Sequence, residues 1–218
     1  MNSPTIQLLV LAGIAVFLIL KLRGVLGSRE GFEKPEAQDG AQRRGRPDLE
    51  VIEGGIDSDI TDHVQEGSSA AKALAAMKAV EPSFNVSDFL LGARGAYEMI
   101  LMGFQHGDLA SIKPFLSDDV FESFSEVVTE REKKGLSIDA HFVGLREMDL
   151  KDAEFDDKTH EGEVTVKFLA ELTSVVRDKA GEIIEGNPNE VKRQKDIWTF
   201  ARIMGSNDPN WKLVATGG

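Results

Sequence analysis

Residues 164–176 read Val-Thr-Val-Lys-Phe-Leu-Ala-Glu-Leu-Thr-Ser-Val-Val, and this stretch decides the fold. Val164, Val166, Phe168, Ala170, Leu172 and Val176 alternate with Thr165, Lys167, Glu171 and Thr173. A period of two puts the apolar set on one face of a pleated strand and the polar set on the other. The stretch therefore predicts a long, half-buried strand. Its expected partner is 151–155, across a turn near 156–162. Further turn signals lie at 178–182 and 186–189. Residues 191–204 contain Ile197, Trp198, Thr199 and Phe200, apolar on both faces, as in a central strand. Residues 206–210 turn the chain, and Trp211, Leu213 and Ala215 mark a last strand.

Upstream of this meander the period is helical. Phe89, Ala93, Ala96, Tyr97, Ile100 and Phe104 recur at helix spacing, with Ser87 and Asp88 as a start and Gly107 as a stop. A short helix is expected over 108–113, before Pro114. Another starts at Ser117, where Asp118 and Asp119 meet the positive end of the helix dipole. Val120, Phe121, Phe124, Val127 and Val128 form its apolar face, and Lys133, Lys134 and Gly135 close it. Helices followed by an antiparallel meander predict an α+β domain over residues 83–218.

Composition narrows the function classes. The chain has 218 residues, 25 Lys and Arg against 37 Asp and Glu, a net charge of −12, and no cysteine. Disulfides, thiolate metal sites and cysteine nucleophiles are excluded. An acidic body lacks the basic footprint that nucleic acid demands.

Residues 6–20 read IQLLVLAGIAVFLIL, with Gln7 as the one polar side chain. With Lys21 and Leu22 the run reaches the lower edge of spanning length, about 17 residues. Residues 1–5 carry no basic side chain and the run ends in Lys21-Leu22-Arg23, unlike a cleaved signal peptide. A buried core helix would not be followed by a long polar stretch. The expectation is an uncleaved anchor over 1–27, with Ile6, Leu11, Phe17 and Leu20 in lipid and Lys21 at the interface. Lys21, Arg23, Arg29 and Lys34 all follow the run, so the positive-inside rule expects a single-pass inner-membrane protein with its domain in the cytoplasm.

Residues 28–82 are rich in glycine and polar side chains and read as a flexible linker. Two segments stand out. Arg43, Arg44 and Arg46 form a basic cluster, a candidate contact for a partner or for anionic lipid headgroups. Residues 69–80 (SAAKALAAMKAV) are strong helix formers whose Leu74 and Met77 would dock on the domain or on a partner.

Catalytic and metal motifs are sparse. There is no phosphate-binding glycine loop, no HExxH and no GxSxG elbow. His63, His106, His141 and His160 share no ligand spacing. Asp57, Asp59, Asp62 and His63 miss the calcium-loop pattern, because Thr61 and Asp62 stand where a ligand and a glycine belong. They read as a solvated acidic stretch, and His106 reads as a helix C-terminal cap. No catalytic residue, cofactor or metal is expected. A candidate apolar pocket is expected from Phe89, Tyr97, Ile100, Phe104, Phe168, Trp198 and Phe200. Tyr97 would run isomerase chemistry only beside a carboxyl group lifted by apolar surroundings.

Gly92-Ala93-Arg94-Gly95-Ala96-Tyr97-Glu98-Met99-Ile100 opens a helix that ends at Gly107-Asp108-Leu109. Lys113-Pro114-Phe115-Leu116-Ser117-Asp118-Asp119-Val120-Phe121, Arg131-Glu132, Trp198-Thr199-Phe200-Ala201-Arg202 and Asp208-Pro209-Asn210-Trp211-Lys212-Leu213-Val214-Ala215 follow. Together these segments resemble the C-terminal domain of the forty-four-kilodalton subunit of the mitochondrial inner-membrane translocase. With an N-terminal anchor, the layout is most similar to the bacterial TimA-type members of that family. The resemblance implies a cone-like fold of helices on a curved antiparallel sheet, similar to nuclear transport factor 2, with an apolar pocket. It implies membrane association and a scaffold for an Hsp70 chaperone motor, and it supplies no catalytic residues to carry over.

Three functions are therefore weighed. The first is a membrane-anchored adaptor that recruits a chaperone or a translocation or assembly component, acting through effective concentration. The second is a binding module for lipid or another apolar ligand. The third is a small isomerase-like enzyme.

Overall fold

A computed structural model describes residues 57–217. The elements run α1 Ser58–Thr61, α2 Ser69–Val80, α3 Val86–His106, α4 Leu109–Ile112, a 3-10 turn Lys113–Phe115, α5 Asp118–Lys133, β1 Ser137–Phe155, β2 Glu161–Arg177, β3 Ile183–Gly186, β4 Lys192–Ile203 and β5 Lys212–Gly217. The antiparallel sheet is open, in the order β1-β2-β4-β5, with β3 also paired to β2. The α+β class and the meander agree with the sequence periods.

Among the described residues no helix is long and apolar enough to cross a membrane. The longest described helix, α3, is amphipathic: Asp88, Arg94 and Glu98 are exposed, while Phe89, Ala93, Tyr97 and Ile100 are buried. The transmembrane helix expected over 6–22 lies outside the described residues, as do Ile6, Leu11, Phe17, Leu20, Lys21, Arg43, Arg44 and Arg46. The expected architecture is corrected accordingly. Among the described residues no helix is a membrane span, and this finding overturns the expected single-pass inner-membrane placement.

The strand that decided the fold is β2, and it lies between β1 and β4. Val164, Val166, Phe168 and Ala170 are each 0% exposed. They face the helices because Tyr97 of α3 stacks on Phe168, with centroids 4.2 Å apart and the rings 11° from parallel. β4 pairs with β2 in one unbroken register, from Glu161↔Ile203 to Leu172↔Lys192.

β1 is far longer than the expected 151–155. Its register on β2 shifts between Phe142 and Gly144, Leu145 and Glu147, and Leu150 and Asp152. Each shift is a bulge that bends the strand and resets which residues face inward. The resulting curvature lets α2 and α3 pack on the sheet. The same shifts erase the two-residue period over 137–150, which hides the strand from a sequence reading.

The compact unit includes residues upstream of the boundary expected at 83. Helix 69–80 is α2, and Leu74 and Met77 on it are fully buried in the common core. The acidic residues before it are also engaged. Asp59 accepts from the Val86 amide at 2.7 Å, the Ser87 amide at 3.0 Å and the Ser87 hydroxyl at 2.9 Å. Lys78 lies 2.6 Å from Asp59 and 2.8 Å from Asp57. This carboxylate satisfies amides at the start of α3 that the helix itself leaves free. It also sits at the positive end of the helix dipole. His63 lies 3.1 Å from the Ser87 hydroxyl. The stretch expected to be solvated is thus a clamp between α1, α2 and α3.

Helix ends follow their caps. Asn85, Ser68 and Ser117 accept from amides in the first turns of α3, α2 and α5. Gly107 ends α3 with φ at 77°, a left-handed angle that suits glycine. His106 does not cap α3. Its Nε2 donates across to the Ala140 carbonyl of β1 at 2.9 Å.

Candidate functional site

The seven aromatic and aliphatic residues expected to line a pocket lie together, but most pack on one another. Tyr97 touches Trp198 at 4.7 Å between centroids, and Phe168 meets both Trp198 and Phe200 edge-on. Tyr97, Ile100 and Phe168 are 0% exposed. Phe104 turns the other way and packs on Phe124 of α5 at 4.3 Å. Two of the seven, Phe89 and Phe200, also reach an open groove.

The groove has a volume of about 410 Å³ and runs between the first half of α3 and the β4–β5 end of the sheet. Gly92, Ala93 and Ala96 line its helical wall. A Cβ placed on Gly92 would meet nothing within 4 Å, so space remains above the helix there. Phe84, Phe115, Phe200 and Trp211 supply aromatic surface. Trp211 is held by Phe89 at 4.7 Å and Phe84 at 5.8 Å between centroids, and stays half-buried. Ser83, Asn85, Asp88 and Asn210, together with Glu81 and Arg202, supply its polar lining.

An ion pair lies at one end. Arg202 of β4 donates to Glu81 at 2.7 Å, and Glu81 also accepts from the Gly205 amide at 2.8 Å. The Arg202 guanidinium lies 5.3 Å from the Trp211 ring centroid, and its Nε finds no hydrogen-bond partner among the described residues. Burial pushes the Glu81 carboxyl up, but Arg202 and the Gly205 amide outweigh it and hold the carboxyl below its ordinary range. The pair fixes the end of α2 against β4 and steadies the face that carries Trp211.

A second polar pair is internal. The Tyr97 hydroxyl donates to Asp196 at 2.6 Å, and Gln194 donates to the same oxygen at 2.9 Å. Burial pushes the Asp196 carboxyl up, and the two neutral donors offset that only in part. Burial, then the bond to Asp196 and its charge, push the Tyr97 phenol up as well. A tyrosine beside a lifted carboxyl group is what isomerase chemistry needs. Here the tyrosine is fully buried with its ring stacked on Phe168, so its hydroxyl serves the interior. Among the described residues no group of three or more His, Asp or Glu could hold a metal ion.

Sequence reasoning missed Phe84, Gly92, Phe115, Arg202 and Trp211 as parts of one groove. One signal was available: Gly92 and Gly95 interrupt the middle of α3, where a glycine costs helix stability and asks for a reason.

Residues 70–218 match the family profile of the Tim44-like domain. The chain belongs to the Tim44-like domain family. Human mitochondrial import inner membrane translocase subunit TIM44 is 24% identical over 139 residues, which cover 62% of this chain and 30% of the human protein. TIM44-1 of Arabidopsis thaliana is 20% identical over 161 residues, covering 71% of this chain and 34% of that protein. The matches thus span about a third of the length of these relatives. Among solved structures, the intermembrane space region of the chloroplast protein ARC6 aligns with a TM-score of 0.41 at 13% identity, over 59% of this chain and 94% of that one.

At the family level, a Tim44-like domain is a scaffold or adaptor. The family assignment does not extend to the TimA-type subgroup, since the relatives named here are mitochondrial.

Proposed function

We propose that this Tim44-like domain is an adaptor whose groove between α3 and the β4–β5 end of the sheet takes an apolar segment of a protein partner. The partner class is a chaperone of the Hsp70 type or a translocation or assembly component, as the family resemblance implies. One observation carries the reading: half-buried Trp211 and Phe115 share an open groove with Gly92, where the helix leaves room for a second chain. Tryptophan and arginine anchors in a partly desolvated pocket are what concentrate binding energy at protein interfaces. Phe84, Phe89 and Phe200 already hold the Trp211 wall in place, so little side-chain ordering remains to oppose association.

Photo-crosslinking tests this. A probe at position 92 in the full chain, in intact cells, should yield an Hsp70 or a translocation or assembly component by mass spectrometry. Lipid adducts alone would overturn the adaptor reading in favour of an apolar-ligand module, and no adduct at all would remove the groove from the account.

A further inference from the structure

The sheet has an inner face, against α3, and an outer face. Phe168 and Ala170 of β2 point inward, so Leu169, Glu171 and Thr173 point outward. Glu171 is nonetheless only 8% exposed. Arg146 of β1 donates through Nε to one of its oxygens at 2.8 Å, and Arg193 of β4 donates through Nε to the other at 3.3 Å. One carboxylate on the middle strand ties together an arginine from each neighbouring strand. Arg146 first, and Arg193 with it, hold the Glu171 carboxyl below its ordinary range against the opposing push of desolvation.

The backbone is built to present these cations. β1 pairs Leu145 with Ala170 and Glu147 with Leu169, so Arg146 is the extra residue of a bulge. A bulge re-aims a side chain, and this one turns Arg146 onto the outer face. Gly144 stands opposite Glu171, and opposed residues of an antiparallel pair share a face. A Cβ placed on Gly144 would meet nothing within 4 Å, so the surface there is open. Lys195 lies two residues along β4 from Arg193, on the same face and opposite Leu169.

The donors left over state what fits. Each arginine meets Glu171 through Nε, and the fork of two Nη groups extends beyond that contact. The Arg146 and Arg193 side chains are 63% and 72% exposed, and Lys195 is exposed as well. Three cations therefore share one buried anion. A carboxylate is filled by a single guanidinium fork. A phosphoryl group has three acceptor oxygens and close to two negative charges, so it can take both forks and the ammonium together.

The surroundings decide what carries the phosphoryl group. Asp139, Glu147, Asp149, Asp152 and Glu154 of β1 share this outer face, each opposite an outward residue of β2. Glu147 and Asp149 engage Lys167, and Asp139 lies beside Arg177 and His141. In a chain of net charge −12, a broad anionic membrane surface meets repulsion all along this strand. A single phosphorylated side chain touches only the cations. We propose that Arg146, Arg193 and Lys195, seated on Glu171, form a binding site for a phosphorylated serine or threonine of a partner protein. The site is on the outer face, apart from the groove on the α3 side, and does not rest on it.

The test uses the full chain and a fluorescein-labelled pool of peptides with one central phosphoserine and random flanks. The same pool without phosphate is the control. Fluorescence anisotropy should show the phosphorylated pool binding about tenfold or more tighter, and weakening as salt rises. The double variant Arg146→Lys/Arg193→Lys keeps the charges around Glu171 but removes both forks, and should lose about tenfold in affinity at an unchanged melting temperature. Gly144→Glu leaves both arginines in place, sets a carboxylate in the open space beside them, and should lose as much. Vesicles containing phosphatidic acid offer the same phosphomonoester on a membrane and should not displace the pool. The proposal is overturned if the phosphorylated pool binds no better than the control, or if either variant binds it as well as wild type. Displacement by the vesicles would overturn it in favour of a lipid headgroup site. Such failures leave crosslinking at position 92 untouched, so they are separable from failure of the groove.

Discussion

Asp59 and Asp196 are both withdrawn from water, yet they move in opposite directions. Burial raises each carboxyl. Around Asp59, the Lys78 ammonium, the Val86 and Ser87 amides and the Ser87 hydroxyl overcome burial and hold the group well below its ordinary range. Around Asp196 the donors are Tyr97 and Gln194, both neutral, and burial wins. The identity of the donors, rather than burial, decides the sign. One aspartate is a charged clamp between three helices; the other is the polar end of an aromatic core.

The largest effect should come from breaking the clamp. Asp59→Ala leaves the first amides of α3 without their acceptor and Lys78 with Asp57 alone, at a cost of about 2–4 kcal/mol in urea denaturation. A loss below about 0.5 kcal/mol would show that water replaces the carboxylate without penalty. Tyr97→Phe should cost less, about 1–2 kcal/mol, because Gln194 still satisfies Asp196.

The two acids also differ in pH dependence. Asp59 has a lowered folded value, so its stabilisation is present above the unfolded value near about 3.9 and is lost as pH falls through the folded one. Asp196 has a raised folded value, so its stabilisation is present below about 3.9 and is lost as pH rises through the folded one. Asp59→Asn should therefore flatten the acid limb of the stability curve. Asp196→Asn should remove a decline on the rising side and leave stability at neutral pH unchanged or higher. Equal curves for wild type and both variants would contradict the contrast. The smallest effect is Gly92→Ala, which adds a methyl group to open space in a helix and should gain about 0.5–1 kcal/mol.

How much of this was legible in sequence depended on regularity. β2 announced itself because each inward residue from Val164 to Leu172 keeps the two-residue period against an unbroken β4. Residues 137–150 did not, because bulges at Phe142, Leu145 and Leu150 shift the inward set. Asp57 and Asp59 looked solvated because their partners, Lys78 and Ser87, lie some twenty or more residues on and meet them only in the folded state. The aromatic set was read as a pocket lining, and sequence alone does not separate a ring that lines a void from one that fills it. Trp211 and Phe115 join the groove through the parallel contact of Leu116 with Leu213, a pairing that no local pattern signals.

Two arginine substitutions on one helix test the central claim most directly. Gly92 lines the groove and Gly95 does not, and a Cβ at either meets open space. The affinity of the full chain for the protein partner recovered by crosslinking should fall about tenfold or more in Gly92→Arg and stay at the wild-type value in Gly95→Arg. Equal affinity in all three proteins would contradict the groove as the adaptor site.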